Sequence, residues 1–162
     1  MRWVIDANVI FDFAAGDLLD DLFRLPWEFC TLDLLLATEI LRPPAPRLVA
    51  LGLVVHTLPG EQLVEIITLR QTYLALSQPD VAAFVLARGL GVGLLTGDGR
   101  LRGLAESFGI EVHGTLWLLD ELVHGQFITV AQARTGLTAM QNAGSRLPDH
   151  EVQARLRRWG RG

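Results

Sequence analysis

Hydrophobic and polar positions divide residues 2–113 into short apolar runs separated by stretches with helical spacing. This order is typical of an α/β fold with a parallel sheet. The apolar runs predict five strands, Arg2–Asp6, Phe29–Leu32, Leu53–Leu58, Val92–Thr96 and Ile110–Val112. The intervening stretches predict six helices, Asn8–Ala15, Asp17–Leu25, Leu34–Leu41, Gly60–Leu76, Pro79–Arg88 and Arg100–Phe108.

Residues that favour helix ends set several of these limits. Gly16 is placed to close the first helix as a C-cap, and Asp33 is placed to begin the third helix as its N-cap. Pro43, Pro44 and Pro46 end the third helix, because proline is excluded from a helix interior. We expect these prolines to form a stiff connector and not a domain boundary.

The chain after residue 113 has only helical patterns. Three further helices are predicted to begin at Thr115, Thr129 and Pro148. Thr129 and Gln132 have the spacing of a capping box. We interpret the chain as one domain, with an α/β core over residues 1–113 and a helical extension over residues 114–162.

The composition indicates one folded domain. Of the 162 residues, 50% are hydrophobic and 20% are charged, so the chain can bury a sizeable core and disorder is excluded. The apolar runs are too short to cross a bilayer, and no export signal follows Met1. The single cysteine, Cys30, excludes an internal disulfide and a cysteine-based zinc site, and it suits a reducing compartment. We therefore predict a cytoplasmic protein without a membrane partner.

Four acidic residues stand near places where an open α/β sheet carries its chemistry. Asp6 ends the first strand and Asp98 follows the fourth, and ligands of such sheets bind outside the carboxyl ends of the strands. Asp80 begins the helix that leads into the fourth strand, so we expect it at one rim of the sheet. Glu39, placed one turn into the third helix, is predicted to lean over the same rim.

A group of carboxylates favours a metal site. Such groups repel one another and raise one another's pKa unless a cation neutralises them. Mg²⁺ and Mn²⁺ prefer oxygen ligands, bind substrate phosphates as well as carboxylates, and lower the pKa of bound water. The four acids therefore indicate phosphodiester hydrolysis. None of the four histidines has the spacing of a zinc ligand, so zinc is not favoured.

Each acid also has a structural interpretation. Ser77 and Asp80 form a good capping box, so Asp80 can act purely as a helix cap. Asp6 suits an N-cap, Asp98 suits a turn after a strand, and Glu39 suits a solvated helix face. Taken one residue at a time, these alternatives stay open, and only the order of the four acids favours a common site.

The charge and the basic residues exclude several other classes. A net charge of −4 argues against a polyanionic partner, but acids that hold cations do not present that charge to a substrate. All 14 basic residues are arginine. The lack of lysine excludes a receiver-like domain and a haloacid-dehalogenase-type phosphatase. A Rossmann nucleotide site is excluded because the glycine-rich segment 89–93 follows a helix and precedes a strand.

Taken together, the motifs resemble those of the PIN-domain family of nucleases, over residues 2–122. The segment Val-Ile-Asp-Ala-Asn resembles the first motif of the family, with Asp6 and Asn8 in its polar positions. Glu39 and Asp80 resemble the second and third acids. The segment Leu-Leu-Thr-Gly-Asp, which contains Thr96 and Asp98, resembles the last motif.

The resemblance implies a three-layer α/β/α sandwich around a parallel sheet, with the helical extension added to it. It further implies a ribonuclease that uses Mg²⁺ or Mn²⁺ to cut single-stranded RNA with an activated water. The residues that would bind metal and carry out catalysis are four acids, Asp6, Glu39, Asp80 and Asp98. Asn8 and Thr96 would support them. Many small bacterial members are toxins of toxin–antitoxin pairs, so an antitoxin and a homodimer are the implied partners. The alternative is a non-catalytic PIN-fold module that binds or scaffolds other molecules.

Several other residues near the motifs have two interpretations. Arg100 and Arg102 closely follow Asp98, so one of them would meet a substrate phosphate, although a solvated helix face explains them equally well. Asp12 lies one turn after Asn8 and faces either the same cavity or solvent.

The C-terminal arginines also have two interpretations. Arg155 and Arg158 lie on one helix face, where they would hold an RNA backbone while Trp159 stacks on a base. In the alternative, they stabilise a helix end and Trp159 packs against the body of the protein.

Overall fold

A single parallel sheet forms the centre of the computed structural model, which describes residues 1–161. Its strands are β1 (Arg2–Ile5), β2 (Glu28–Leu32), β3 (Val54–His56), β4 (Gly93–Leu95) and β5 (Val112–His113). They lie in the order β3-β2-β1-β4-β5. The chain moves outward from β1 to β3 and then returns to the other side of β1, so the strand order reverses between β1 and β4. Ile5 pairs with Leu95 in register, which confirms that the segments after these two strands are neighbours.

The helices cover both faces of the sheet. In chain order they are α1 (Ala7–Ala15), α2 (Leu19–Leu22), α3 (Asp33–Thr38), α4 (Ala45–Leu51), α5 (Gly60–Thr72), α6 (Gln78–Leu90), α7 (Gly99–Ser107), α8 (Thr115–His124), α9 (Val130–Asn142) and α10 (Asp149–Trp159). Within residues 1–161, no helix combines the length and the apolar character that a membrane span requires.

Alternating side chains of β1 divide the core into two layers. Trp3 and Ile5 belong to the cluster that includes buried residues of α1, α8, α9 and α10. Val4 belongs to the opposite cluster, which includes buried residues of α5, α6 and α7. A strand buried on both faces is what a parallel sheet between two helical layers requires. The predicted three-layer α/β/α fold is confirmed.

A glycine in β4 makes room for a large side chain on β1. A Cβ atom added at Gly93 would lie 2.1 Å from Cζ3 of Trp3. The indole also contacts Trp117 and His113, with ring centroids 5.4 and 5.5 Å away. Gly93 therefore lets Trp3 lie against β4 and join that strand to the first turns of α8.

The proline-rich segment contains a helix that the sequence patterns did not predict. Pro46 occupies the first turn of α4, where proline leaves no intrahelical hydrogen bond unmade. Gly52 ends α4 with φ +116°, a left-handed conformation that favours glycine. This helix was missed because the prolines were weighed only as helix breakers.

α8 begins at Thr115 as predicted, and the other two predicted starts, Thr129 and Pro148, are the N-caps of α9 and α10. The capping box of Thr129 and Gln132 is present. α9 lies close to the connection between α1 and α2. A Cβ atom added at Gly136 would lie 2.4 Å from Cδ1 of Leu18 and 3.2 Å from the carbonyl oxygen of Gly16. The small residue thus allows α9 to pack tightly against the N-terminal part of the chain.

Candidate active site

Asp6 is held by hydrogen bonds at the carboxyl end of β1. It is the N-cap of α1, and its Oδ1 accepts the backbone N–H of Ala7 at 2.8 Å. Its Oδ2 accepts the hydroxyl of Thr96 at 2.7 Å and the side-chain amide of Asn8 at 3.1 Å. Asn8 in turn accepts the backbone N–H of Gly97 at 3.2 Å. These bonds join the loops after β1 and β4, so the orientation of the Asp6 carboxylate is fixed from both strands.

The hydroxyl group of Thr96 links Asp98 to Asp6. The Oγ1 atom of Thr96, which donates to Asp6, accepts the backbone N–H of Asp98 at 3.1 Å. Asp98 is the N-cap of α7, and its Oδ1 accepts the N–H groups of Arg100 and Leu101, each at 2.9 Å. Only one carboxylate oxygen of Asp98 is therefore used in capping.

Asp80 both caps a helix and lies within electrostatic range of Asp6. It forms the predicted capping box with Ser77, in which Asp80 Oδ2 accepts the N–H of Ser77 at 3.0 Å and Ser77 Oγ accepts the N–H of Asp80 at 3.2 Å. Its negative charge also raises the pKa of Asp6, as does that of Asp98. Asp80 therefore caps its helix and also acts on the ionisation of Asp6, so the capping role does not exclude a role in the site.

The ionisation of Asp6 reflects this crowded position. Burial raises its pKa, and the hydrogen bond from Thr96 opposes that increase. Repulsion by Asp80 raises the pKa further, the Ala7 N–H lowers it, and repulsion by Asp98 raises it again. Together these effects raise the pKa of Asp6 from 3.8 to about 6. The ionised form of the Asp6 carboxylate is therefore destabilised by its surroundings.

Glu39 does not lie where the sequence pattern predicted. α3 ends at Thr38 with Glu39 as its C-cap, so Glu39 lies at the end of the helix instead of within it, and its side chain is exposed. Its charge is not among those that shift the pKa of Asp6. The helix ends early because Ile40, which is 1% exposed, turns into the core layer opposite the one that holds Leu35. The predicted helical position of Glu39 was wrong, and its role as a metal ligand stays a prediction.

A cleft of about 570 Å³ opens at Asn8 and Asp98, and neither Asp6 nor Asp80 is part of its lining. Its wall combines side chains of α1, the loop after β4 and the loop between α9 and α10. We call it the acidic cleft, and the polar side chains that line it are Asn8, Asp12, Asp98, Ser145 and Arg146. The C-terminal extension thus supplies part of the wall of the candidate site.

Comparison with known families shows to which family the chain belongs. The family model DUF3368, described as a PIN domain, matches residues 2–161. The chain belongs to the PIN-domain family. The match confirms the resemblance seen in the motifs, and PIN domains are generally nucleases. No curated protein matches the chain significantly.

A solved structure supports the PIN fold independently. A PilT N-terminus domain protein, SSO1118, from the hyperthermophilic archaeon Sulfolobus solfataricus P2 is similar, with a TM-score of 0.53. The likeness covers 76% of this chain and 94% of that chain at 17% sequence identity. At this identity the comparison bears on the fold alone.

The donor atoms of this PIN domain fit a hard divalent cation. The charges of Asp80 and Asp98 both act against ionisation of the buried Asp6 carboxylate, and a cation would offset that repulsion. No three His, Cys, Asp or Glu side chains within residues 1–161 group closely enough to hold a metal ion by themselves. An ion held here would therefore have to use one or two of these carboxylates directly and keep several water ligands, as Mg²⁺ commonly does.

The two predicted substrate-binding arginines have different surroundings. Arg102 donates to the carbonyl oxygen of Val112 at 3.2 Å and pairs with Glu106 at 3.7 Å. Arg100 is exposed on α7, beside the connection between α5 and α6, and it does not line the acidic cleft. Neither position tests a role in substrate binding, so both stay predictions.

The structure decides between the two interpretations of the C-terminal arginines. Arg155 donates to Asp120 at 2.6 and 3.0 Å, and Arg158 donates to the same carboxylate. Trp159 is 5% exposed and packs in the core. The alternative in which this helix end packs on the protein is correct, and the proposed stacking of Trp159 on a base was wrong.

Two residues of the acidic cleft were not assigned to the site from the sequence. Asp12 lines the cleft and accepts the hydroxyl of Thr115 at 2.6 Å. Its helical spacing from Asn8 was the available signal, but solvation explained that spacing as well. Arg146 lies between two helices, near Gly144 and Pro148, and nothing in its sequence context distinguishes it from a loop residue.

Proposed function

We propose that this PIN domain hydrolyses phosphodiester bonds of single-stranded RNA with Mg²⁺ or Mn²⁺, which one or two of the carboxylates of Asp6, Asp80 and Asp98 would bind directly and the rest through water. The observation that carries the proposal is the raised pKa of Asp6, which is buried beside two further carboxylates at the edge where β1 and β4 end. A divalent cation offsets the mutual repulsion of such groups and attracts a phosphate at the same time.

Several residues prepare the site before substrate binds. When present, the ion supplies an activated water and neutralises charge on the phosphoryl group. Thr96 and Asn8 hold the Asp6 carboxylate in one orientation, which reduces the rearrangement needed to bind a cation. Asp98 keeps one oxygen on the helix cap, so its second oxygen is left for a ligand.

The test is cleavage of a mixed pool of single-stranded RNA with Mn²⁺, with EDTA, and by the variant Asp98→Asn. Wild type with Mn²⁺ is expected to cut, whereas EDTA and Asp98→Asn each reduce the rate by at least about 100-fold, since both remove charge stabilisation at the phosphate. Asp17→Asn is the matched control, because Asp17 is exposed, has φ +54° that asparagine also adopts, and lies outside the acidic cleft.

The role of Glu39 is tested with a separate variant. We propose it as a fourth acid whose contribution is smaller than that of Asp98, because it lies exposed beyond the end of α3. Glu39→Gln is therefore expected to reduce the rate less than Asp98→Asn does. Equal losses in the two variants would contradict this ranking.

A second candidate is a non-catalytic PIN-fold module. The observation that favours it is that no group of three potential ligands within residues 1–161 is close enough to hold a metal ion. Thermal unfolding with and without Mn²⁺ separates the two proposals. The nuclease predicts a higher Tm with Mn²⁺ that Asp98→Asn abolishes, whereas the module predicts the same Tm in both conditions.

We also propose a protein partner, either an antitoxin or a second copy of the chain. Exposed apolar side chains of α5 support this proposal, since Val64 is 63% exposed, Ile67 60% and Leu63 45%. The molar mass of the purified protein in solution distinguishes a homodimer from a chain that needs a different partner.

A further inference from the structure

A second cleft, of about 520 Å³, lies on the other side of the loop that carries Asp98. It is bounded by the ends of β4 and β5 and by the first turns of α8 and α10. We call it the arginine cleft, and the charged and aromatic side chains of its lining are Arg102, His113, Trp117, Arg146, Glu151 and Arg155. Gly97, Gly99 and Arg146 line both this cleft and the acidic cleft.

Arg146 is the cation of this cleft that remains available to a ligand. The side chain of Arg155 is only 16% exposed and its charge is balanced by Asp120 and Glu151. Arg102 is held by the Val112 carbonyl and by an ion pair on its own helix. Arg146 is exposed, and it makes no side-chain hydrogen bond or ion pair with any residue in 1–161.

The rest of the cleft is suited to a nucleotide. His113 stacks on Trp117, with ring centroids 3.8 Å apart and an angle of 12° between the planes, and both side chains are half-buried. Trp27 also stacks on Trp117, with ring centroids 5.4 Å apart, so this pair gives the cleft an ordered wall that is fixed from within the protein. A strand would pack along that wall by its shape, without a base stacked between the rings. Gly97 and Gly99 have no side chains that would separate this cleft from the acidic one.

We infer that the arginine cleft binds the part of a polynucleotide strand next to the scissile phosphate, with Arg146 contacting a backbone phosphate. The inference rests on the proposed function and extends it, because it assigns a substrate-binding role to the loop between α9 and α10. A strand that crosses Gly97 and Gly99 would meet the carboxylates on one side and the guanidinium group on the other. Arginine suits this contact because its planar group donates two hydrogen bonds to one phosphate.

An acidic protein segment is the other polyanion that an arginine attracts. The position of Arg146 favours RNA, because the adjoining cleft contains Asp12 and Asp98. Those carboxylates repel a run of aspartate or glutamate side chains. A phosphate diester, in contrast, can share a divalent cation with them.

The experiment measures binding of a fluorescent ten-nucleotide single-stranded RNA to the full chain by anisotropy, with Ca²⁺ as the divalent ion and the integrity of the RNA checked on a gel. Arg146→Ala is expected to weaken binding about five- to tenfold and to make the salt dependence shallower by about 0.7 in log–log slope, because one phosphate contact is lost. Arg146→Lys should recover part of the affinity. Arg157→Ala is the matched control, because Arg157 is exposed on α10 and lines neither cleft.

Each outcome bears on the inference. Equal affinities of Arg146→Ala and Arg157→Ala, with both variants folded by circular dichroism, would overturn it and leave the proposed function in place. Loss of binding to poly-glutamate without loss of binding to RNA would assign Arg146 to an acidic protein partner and overturn it too. Hydrolysis of bis(p-nitrophenyl) phosphate by the wild type with Mn²⁺ tests the proposed function separately, since this diester has a single phosphate. Wild type that neither cleaves the diester nor binds RNA would overturn both.

Discussion

Opposing effects on the Asp6 carboxylate place its ionisation close to physiological pH. Burial and the charges of Asp80 and Asp98 raise its pKa, while the bonds from Thr96 and Ala7 hold the increase to a value of about 6. The group is therefore mostly ionised at neutral pH and becomes protonated in mild acid. Under the proposed function, Asp6 would therefore bind a cation at neutral pH and release it as the pH falls.

The raised pKa of Asp6 predicts that the metal-free protein loses stability as the pH rises. The folded value of about 6 lies above the unfolded value of 3.8, so the folded state retains the proton over this range. The favourable contribution is complete below about pH 4 and is lost as the pH rises through 6, with a total of about 3 kcal/mol from 1.36 kcal/mol per unit of pKa difference. Asp6→Asn removes this titration.

The measurement is the free energy of unfolding in urea with EDTA at pH 4, 5, 6 and 7, for wild type and Asp6→Asn. The stability of Asp6→Asn relative to wild type should improve by roughly 2 kcal/mol from pH 4 to pH 7, because part of the total effect lies below pH 4. A difference that stays constant across the series would mean that the pKa of Asp6 is not raised in the folded state.

Residues at strand ends were predictable, and residues placed by packing were not. Asp6 and Asp98 each end a recognisable apolar run, and the neighbouring positions of their strands follow from the topology of an open parallel sheet. Glu39 was misplaced because burial of Ile40 ends α3 early. Arg146 depends on where the loop between α9 and α10 lies in space, which no local pattern reveals.

At the scale of elements, β1 and β4 approach each other through a complementary pair of side chains. Trp3 occupies the space that a side chain at Gly93 would need, and it contacts Trp117 of α8 on its other side. Since these two strands also carry Asp6 and Asp98, the same packing sets the spacing of the acids. Strand identity was clear from the apolar runs, but this need for glycine was not, because it arises between strands that are distant in sequence.

Gly93→Ala is therefore expected to destabilise the protein by about 1–3 kcal/mol, as overpacking does in a core without room to relax. Gly103→Ala is the matched control, because Gly103 is exposed in α7 and an added Cβ meets no atom within 4 Å. Alanine in that helix should leave stability unchanged or raise it by up to about 1 kcal/mol. Urea denaturation compares the two variants, and equal stabilities would show that Trp3 moves without penalty.

α4 shows the limit of reading single residues within an element. Three prolines argued against a helix between α3 and β3, yet Pro46 falls in the first turn of α4, and Gly52 supplies its C-terminal cap. Proline ends a helix or begins one depending on its position, and that position is set by Leu48, which is fully buried in the core. The helix therefore forms because its apolar side chain has a place to pack.

Across the whole molecule, the helices after β5 share one core with the first strand. A single cluster of buried residues includes Ile5 of β1, Phe13 of α1, Leu137 of α9 and Trp159 of α10. The family match spans residues 2–161 in the same way. We therefore expect residues 114–161 to unfold together with the α/β core, although their patterns alone predicted only an added helical extension.

Trp159→Ala tests this cooperativity at the far end of the chain. Trp159 is 5% exposed, and replacing a buried tryptophan by alanine costs about 3–5 kcal/mol. If the core is shared, the whole transition shifts to lower urea as one step, by about 1–3 M for an m-value near 2 kcal/mol/M. Arg157→Ala, two residues away and exposed, should stay within about 0.5 kcal/mol of wild type. Circular dichroism is the appropriate probe, since the variant removes a fluorophore. An early minor transition in Trp159→Ala, with the main transition unchanged, would show instead that the C-terminal helices unfold separately. The walls that these helices add to both clefts would then be less stable than the sheet that holds Asp6 and Asp98.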